Sequence, residues 1–99
     1  MSTGALTLDD VVVRASELVD IKIEEGQIIL SVQNGRYYGM TDIGQRIWQL
    51  ITSPISIRAI CDTLLEEYDI VRPTCESQVL KFVQELSKEN IIEIRNDAP

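Results

Sequence analysis

The sequence predicts an α+β fold: a three-stranded antiparallel meander followed by three helices, in the manner of a winged helix-turn-helix. Three observations predict it. Residues 18 to 40 alternate apolar and polar with a period of two, broken by Glu25-Gly26 and Asn34-Gly35 as turn signals. From residue 41 the apolar spacing changes to that of helices. Ser53-Pro54 and the linker 68–72 then divide the helical half in three. With 99 residues and no repeat, the chain holds one domain, expected over 11–95, between a flexible N-terminus, 1–10, and a flexible tail, 96–99.

Residues 1–10 are small and polar apart from Leu6 and Leu8, and Val11-Val12-Val13 is a short apolar lead-in to the strands. The two turns allow a test of register. If Asn34-Gly35 is a two-residue loop, Gln33 pairs with Arg36, Val32 with Tyr37 and Leu30 with Gly39. If Glu25-Gly26 is another, Glu24 pairs with Gln27, Ile23 with Ile28 and Ile21 with Leu30. Directly paired residues share a sheet face. One face then collects Val19, Ile21, Ile23, Ile28, Leu30, Val32 and Tyr37, and the other Asp20, Lys22, Glu24, Gln27, Ser31, Gln33 and Arg36. A one-residue slip in either hairpin spoils this sorting. The apolar face is therefore expected to be the buried one.

In the helical half, Asp42 and Gln45 have the spacing of a capping box, and Ile43, Ile47, Leu50 and Ile51 form one stripe. Gly44 lies inside this first helix, where glycine costs roughly 1 kcal/mol relative to alanine, so a close backbone approach to the sheet is expected. Ser56 caps a second helix that buries Ile57, Ile60, Cys61, Leu64 and Leu65. Pro73-Thr74 starts a third, running to about Lys88, with Val79, Phe82, Val83 and Leu86 on one stripe. Ile91 to Arg95 reads as a short strand or extended tail.

Composition excludes several chemistries. There are 16 Asp+Glu against 9 Lys+Arg and no His, for a net charge of −7. Without His, the commonest general base and metal ligand is missing, so no enzyme, metal site or cofactor is expected. The acidic balance opposes phosphate binding, and nucleic acid is not an expected partner. No apolar run reaches the ~20 residues of a membrane span. Nor does the N-terminus have the basic and apolar regions of a signal peptide, which places the chain in the cytoplasm. Cys61 and Cys75, on different helices, read as buried free thiols.

A three-stranded meander leaves two edges. Its third strand, Arg36 to Met40, has one charged residue and no proline to protect it. Parity directs the N–H and C=O of Arg36 and Tyr38 inward and those of Tyr37 and Gly39 outward, where they suit an added strand. Solvent or the C-terminal segment covering that edge is the plainer alternative, just as the Val79 to Leu86 stripe is ordinary core spacing. A second reading is an acidic winged-helix transcriptional regulator or protein–protein adaptor. As a DNA reader, however, its third helix starts Thr74-Cys75-Glu76-Ser77-Gln78-Val79-Leu80-Lys81, with one basic residue where several are needed. An acyl or peptidyl carrier is set aside because no Asp-Ser-Leu tripeptide is present.

The run Gly35-Arg36-Tyr37-Tyr38-Gly39-Met40-Thr41-Asp42-Ile43-Gly44-Gln45-Arg46-Ile47-Trp48-Gln49-Leu50-Ile51 resembles the signature of the PqqD-like peptide chaperones. These are precursor-peptide recognition elements of ribosomally made, modified peptides. The later helices and Ile91-Ile92 extend the likeness over about residues 18 to 95. A free-standing domain of this kind looks most like the leader-binding protein of lasso-peptide clusters. Its partners would be the precursor's leader peptide, a transglutaminase-like leader peptidase and an ATP-dependent cyclase. The pyrroloquinoline quinone chaperone, which partners a radical SAM enzyme, is the rival within the family. The resemblance implies that the leader adds antiparallel to Arg36, Tyr37, Tyr38, Gly39 and Met40, facing a wall of Val79, Phe82, Val83 and Leu86. Gly44 and Trp48 belong to the signature but read as core packing.

Overall fold

The computed structural model describes residues 6–95, so the expectations for 1–5 and 96–99 lie outside the described residues. In order, the elements are β1 (Val11–Arg14), β2 (Leu18–Ile23), β3 (Gly26–Ser31), β4 (Tyr37–Met40), α1 (Asp42–Leu50), β5 (Ile55–Ser56), α2 (Ile57–Glu67), α3 (Arg72–Lys88) and β6 (Ile92–Arg95). The antiparallel meander is β2-β3-β4, and the three helices follow as expected. The main addition is a second small sheet in which β1 lies between β5 and β6. There Val11 pairs with Arg95 and Arg14 with Ile92, so the two ends of the described chain close on each other. Residues 6–10, expected to be loose, form a turn against α2. The Asp10 and Leu8 carbonyls accept from the N–H groups of Ile57 (3.0 Å) and Arg58 (2.9 Å), donors the first helical turn leaves unpaired.

Both hairpins keep the expected parity with each register offset by two residues. The first loop is Glu24-Glu25, with Ile23 opposite Gly26. At Gly26 (φ +155°) a Cβ would collide with the Met40 carbonyl oxygen, so glycine is required there by contact with β4. The second loop has four residues, Val32 to Gly35, closed by Ser31 N–H donating to the Arg36 carbonyl at 2.8 Å. Gly35 takes the left-handed conformation (φ 72°) and its N–H donates to the Ser31 carbonyl at 2.9 Å. The Asn34 side-chain oxygen in turn accepts from the Arg36 N–H at 2.8 Å, which accounts for the longer loop.

The face that packs on the helices is the reverse of the one expected. Gln27, Ile29, Ser31 and Met40 are buried, whereas Val19, Ile21, Ile23, Val32 and Tyr37 are exposed. Polar residues of the inner face are tolerated because they are paired. The Asp20 carboxylate accepts from the Trp48 indole N–H (3.0 Å) and from the Gln27 amide, and Gln45 donates to the Gln27 carbonyl oxygen (3.2 Å). Arg14 stacks over the Trp48 ring, 4.4 Å from its centroid, while its guanidinium donates to the Trp48 carbonyl at 2.8 and 3.1 Å. Trp48 therefore fills the core, as expected, but it also anchors a polar network. Gln45, expected in a capping box, is committed to that network. Thr41 is the α1 N-cap residue, with no side-chain cap, and Asp42 has φ 52° at the sharp turn from strand to helix.

The remaining helices follow the sequence closely. Ser56 caps α2, its hydroxyl accepting from the Ala59 N–H at 3.1 Å, and α3 starts with Pro73 in its first turn. Leu65, expected in the core, is only half-buried. Arg72 ties the start of α3 to α2 through Asp62 (3.0 Å). Cys61 and Cys75 are buried free thiols, with Cys75 Sγ 4.0 Å from the Cys61 carbonyl oxygen. Burial, with Cys75 alongside, pushes the Cys61 thiol up to about 12. Gly44 does allow a close approach, but to α3 rather than the sheet: a Cβ there would sit 3.4 Å from the Phe82 ring.

Candidate functional site

Among the described residues only β3 pairs with β4, which leaves the other edge of β4 open among them. The Ser31–Arg36 closure identifies a hydrogen-bonded pair, and alternation makes Ile29–Tyr38 and Gln27–Met40 hydrogen-bonded and Leu30–Tyr37 and Ile28–Gly39 not. Tyr37 and Gly39 thus present their N–H and C=O groups outward, and both are exposed. The two-residue offset preserved this assignment, since parity survives any even change of register.

Alongside this edge runs a groove walled by α3. Its deeper part, about 340 Å³, is lined by Gly39, Met40, Ile43, Gly44, Val79 and Phe82, with Ile70 from the α2–α3 linker and Gln78 on α3 also bordering it. The second part, about 350 Å³, lies between Arg36 and Tyr38 on one side and Glu85, Leu86 and Lys88 on the other. Glu89 closes that end. Its carboxylate accepts from the Tyr38 hydroxyl (2.8 Å) and Arg36 (2.9 Å), and these two partners, Tyr38 first, hold it below the usual glutamate range. Asn34 reinforces the junction by donating to the Glu89 carbonyl at 3.2 Å.

The predicted residues fall in four places. Gly39, Met40, Val79 and Phe82 line the deep part, and Arg36, Tyr38 and Leu86 the shallow part. Tyr37 carries its side chain to the outer sheet face, and Val83 is fully buried and lines neither. Glu89, Ile70, Gln78 and Ile43 were missed. Ile70 belongs to no helical stripe, and the role of Glu89 depends on the end of α3 meeting the β3–β4 loop. Ile43 was expected on the buried stripe of α1, and it lines the cavity as well.

Charge across the cleft is mixed, with Arg36 and Lys88 beside Glu85 and Glu89. At the start of α3, Arg72 is committed to Asp62 and Glu76. Among the described residues, no group of three or more His, Cys, Asp or Glu side chains is arranged to hold a metal ion. No helix among them is long and apolar enough to cross a membrane.

An open strand edge beside an apolar cleft is a geometry that suits an added strand. The family model described as Coenzyme PQQ synthesis protein D (PqqD) matches residues 26–92, and the chain belongs to that family. Two solved structures share its fold. One is TbiB1 in complex with the TbiA(β) leader peptide: 26% identity, TM-score 0.75, covering 88% of this chain and 99% of that one. The other is a lasso peptide synthetase B1 complexed with the leader peptide: 20% identity, TM-score 0.74, covering 83% of this chain and 96% of that one. No functionally curated protein matches the chain. The likeness read from residues 35 to 51 therefore holds at the level of the family.

Proposed function

We propose that this protein binds the leader segment of a ribosomally synthesised precursor peptide by adding it as a strand to β4. The observation that carries this reading is the open edge of β4 beside a groove walled by α3. Leader side chains on one side of the added strand dock against Phe82, Val79 and Met40, while Tyr37 and Gly39 supply the backbone bonds. The presence of a leader peptide in the complex of the 26% identical TbiB1 supports the assignment. Recognition is the whole of the chemistry: the bound leader raises the effective concentration of its attached core at the modifying enzymes. Those enzymes are a transglutaminase-like leader peptidase and an ATP-dependent cyclase of the lasso-peptide type, acting in the cytoplasm.

The magnitudes are consistent with a carrier that must also release. Four backbone hydrogen bonds at ~1 kcal/mol and two or three apolar anchors at ~1.5–3 kcal/mol give roughly 7–13 kcal/mol. Ordering the leader costs about 2–5 kcal/mol and association costs more, so the net affinity is moderate. The test is fluorescence anisotropy with a labelled leader from the precursor encoded beside this chain's gene. Phe82→Ala, shown to be folded, should raise Kd about tenfold or more, the ~1.4 kcal/mol of a partly buried aromatic anchor. No binding by the wild-type protein refutes the proposal.

A further inference from the structure

The meander has a second edge, on β2, far from the groove. Among the described residues β2 pairs only with β3, over the six positions from Leu18 to Ile23. It is the longer of the two open edges of this sheet, and neither a proline nor a bulge protects it. Its ladder sets which backbone groups are free. Because Ile29–Tyr38 is hydrogen-bonded toward β4, Ile28 and Leu30 turn their N–H and C=O groups to β2, where Ile21 and Val19 meet them. The Val32 N–H, donating to the Glu17 carbonyl at 3.1 Å, continues the same parity. Asp20 and Lys22 therefore direct their N–H and C=O groups away from β3, to the free edge.

The side chains at this edge complement themselves. Val19-Asp20-Ile21-Lys22-Ile23 reads apolar, acidic, apolar, basic, apolar about Ile21. Set antiparallel against a second copy, with a two-fold axis at Ile21, Asp20 of each chain faces Lys22 of the other and Val19 faces Ile23. Asp20 and Lys22 are also the residues with free backbone groups, so the ladder and the charge pairs fall in one register. Shifting one chain by two residues puts Lys22 opposite Lys22 or Asp20 opposite Asp20, and a one-residue shift sets free groups against committed ones. A lone edge lysine ordinarily wards off other strands. Here Asp20, two residues before it, admits one partner in one register. On the outer face Val19, Ile21 and Ile23, 43, 45 and 49% exposed, meet their counterparts. On the helix face Asp20 Oδ1 accepts from the Gln27 amide and has room for a second donor.

We propose that β2 pairs with β2 of a second copy of this chain, giving a two-fold dimer in which Asp20 of each copy bonds Lys22 of the other. The contact uses the same patch on both copies, so it closes on itself and leaves no β2 edge for a third chain. The net charge of −7 on each copy opposes approach, which makes association weak and dependent on protein concentration. With strand order β2-β3-β4, β4 lies at the far margin of each half of the joined sheet, and its open edge and the groove beside α3 stay free in both copies. The pairing stands whether or not β4 takes a leader.

The experiment uses the full chain. Sedimentation equilibrium over a concentration series should fit a monomer–dimer equilibrium for the wild type. Lys22→Glu sets a like charge against Asp20 twice across the axis and should raise the dimer dissociation constant at least tenfold, with circular dichroism and Tm showing the fold retained. Ile21→Cys reads the register directly, because at the axis the two Cα atoms stand ~4.5 Å apart, within disulfide reach. Oxidised glutathione should join two such chains through one disulfide, leaving as two reduced glutathiones. Val19→Cys, whose two copies lie ~14 Å apart along the strands, should stay unjoined. The native thiols Cys61 and Cys75 are buried and do not compete. If Lys22→Glu fails to fold, the two cysteine variants decide. A wild type that stays monomeric up to about 1 mM, the range of a weak contact, overturns the proposal. So does a dimer undiminished by folded Lys22→Glu, or crosslinking as fast in Val19→Cys as in Ile21→Cys. A dimer dissolved by Gly39→Pro and kept by Lys22→Glu assigns the contact to β4 and overturns the β2 pairing too.

Discussion

Replacing Gly39 by proline tests strand addition at a single backbone atom. The Gly39 N–H points away from β3, because Ile28–Gly39 is a non-hydrogen-bonded pair of the ladder. Proline therefore removes nothing from the meander, and an outward N–H on an edge strand is where it is tolerated. A Cβ added at Gly39 meets no atom within 4 Å, so Gly39→Ala is a steric control for the same position. In the complex, proline leaves the facing leader carbonyl without its donor, a loss of ~1–3 kcal/mol. At ~1.4 kcal/mol per factor of ten, Kd rises about 5–150-fold, while Gly39→Ala stays within about twofold. Anisotropy with the labelled leader measures both variants, after circular dichroism and thermal melts show each to be folded. Equal affinities for Gly39→Pro and Gly39→Ala would refute the strand-addition geometry.

Three further outcomes follow from the packing. Asp20→Ala strands the buried Trp48 indole N–H and the Gln27 amide, and should lower stability by about 2–3 kcal/mol in urea denaturation. Thermally this is a fall in Tm of roughly 10–20 °C, and an unchanged midpoint would show that the network is not structural. Glu89 is held below the ordinary glutamate value of 4.5 by Tyr38 and Arg36, so its contribution is complete above that value and is lost as pH falls through the depressed one. The Tm difference between wild type and Glu89→Gln should accordingly be full at pH 6 and shrink as the solution is acidified toward pH 3; a pH-independent difference contradicts the assignment. Cys61, pushed up to about 12 by burial, should resist thiol reagents at pH 8 until the chain unfolds, and rapid labelling of native protein would place it in contact with solvent.

Much of the fold was legible locally. Ser56 as a cap, Pro73 near a helix start and the apolar spacing of α2 and α3 are short-range signals, and the helices follow them. The β1–β6 pairing was not legible, since its strands are four residues each and come from opposite ends of the described chain with no turn between them. The capping box failed because a tertiary partner, Gln27, competes for the Gln45 side chain. Of the candidate site, the open edge could be read from parity, whereas the α3 side of the groove could not be apportioned. Val79, Phe82 and Val83 share a helical stripe, and only packing decides that Phe82 meets Gly44 and stays half-exposed while Val83 is sealed in the core.

The two faces of the meander show where sequence stops and structure begins. Period-two alternation fixes which residues stand together, and it survived a two-residue offset in both hairpins because an even shift preserves every side. Nothing in that alternation says which face meets the helices. That choice is made where the chain leaves β4: the left-handed turn at Asp42 sends α1 over the side of Gln27, Ile29 and Met40, where Trp48 and Gln45 satisfy the polar groups. Hydrophobic patterning alone favours the opposite face. The tertiary structure overrides it because a paired polar face can be buried at little cost, which leaves the apolar face outside.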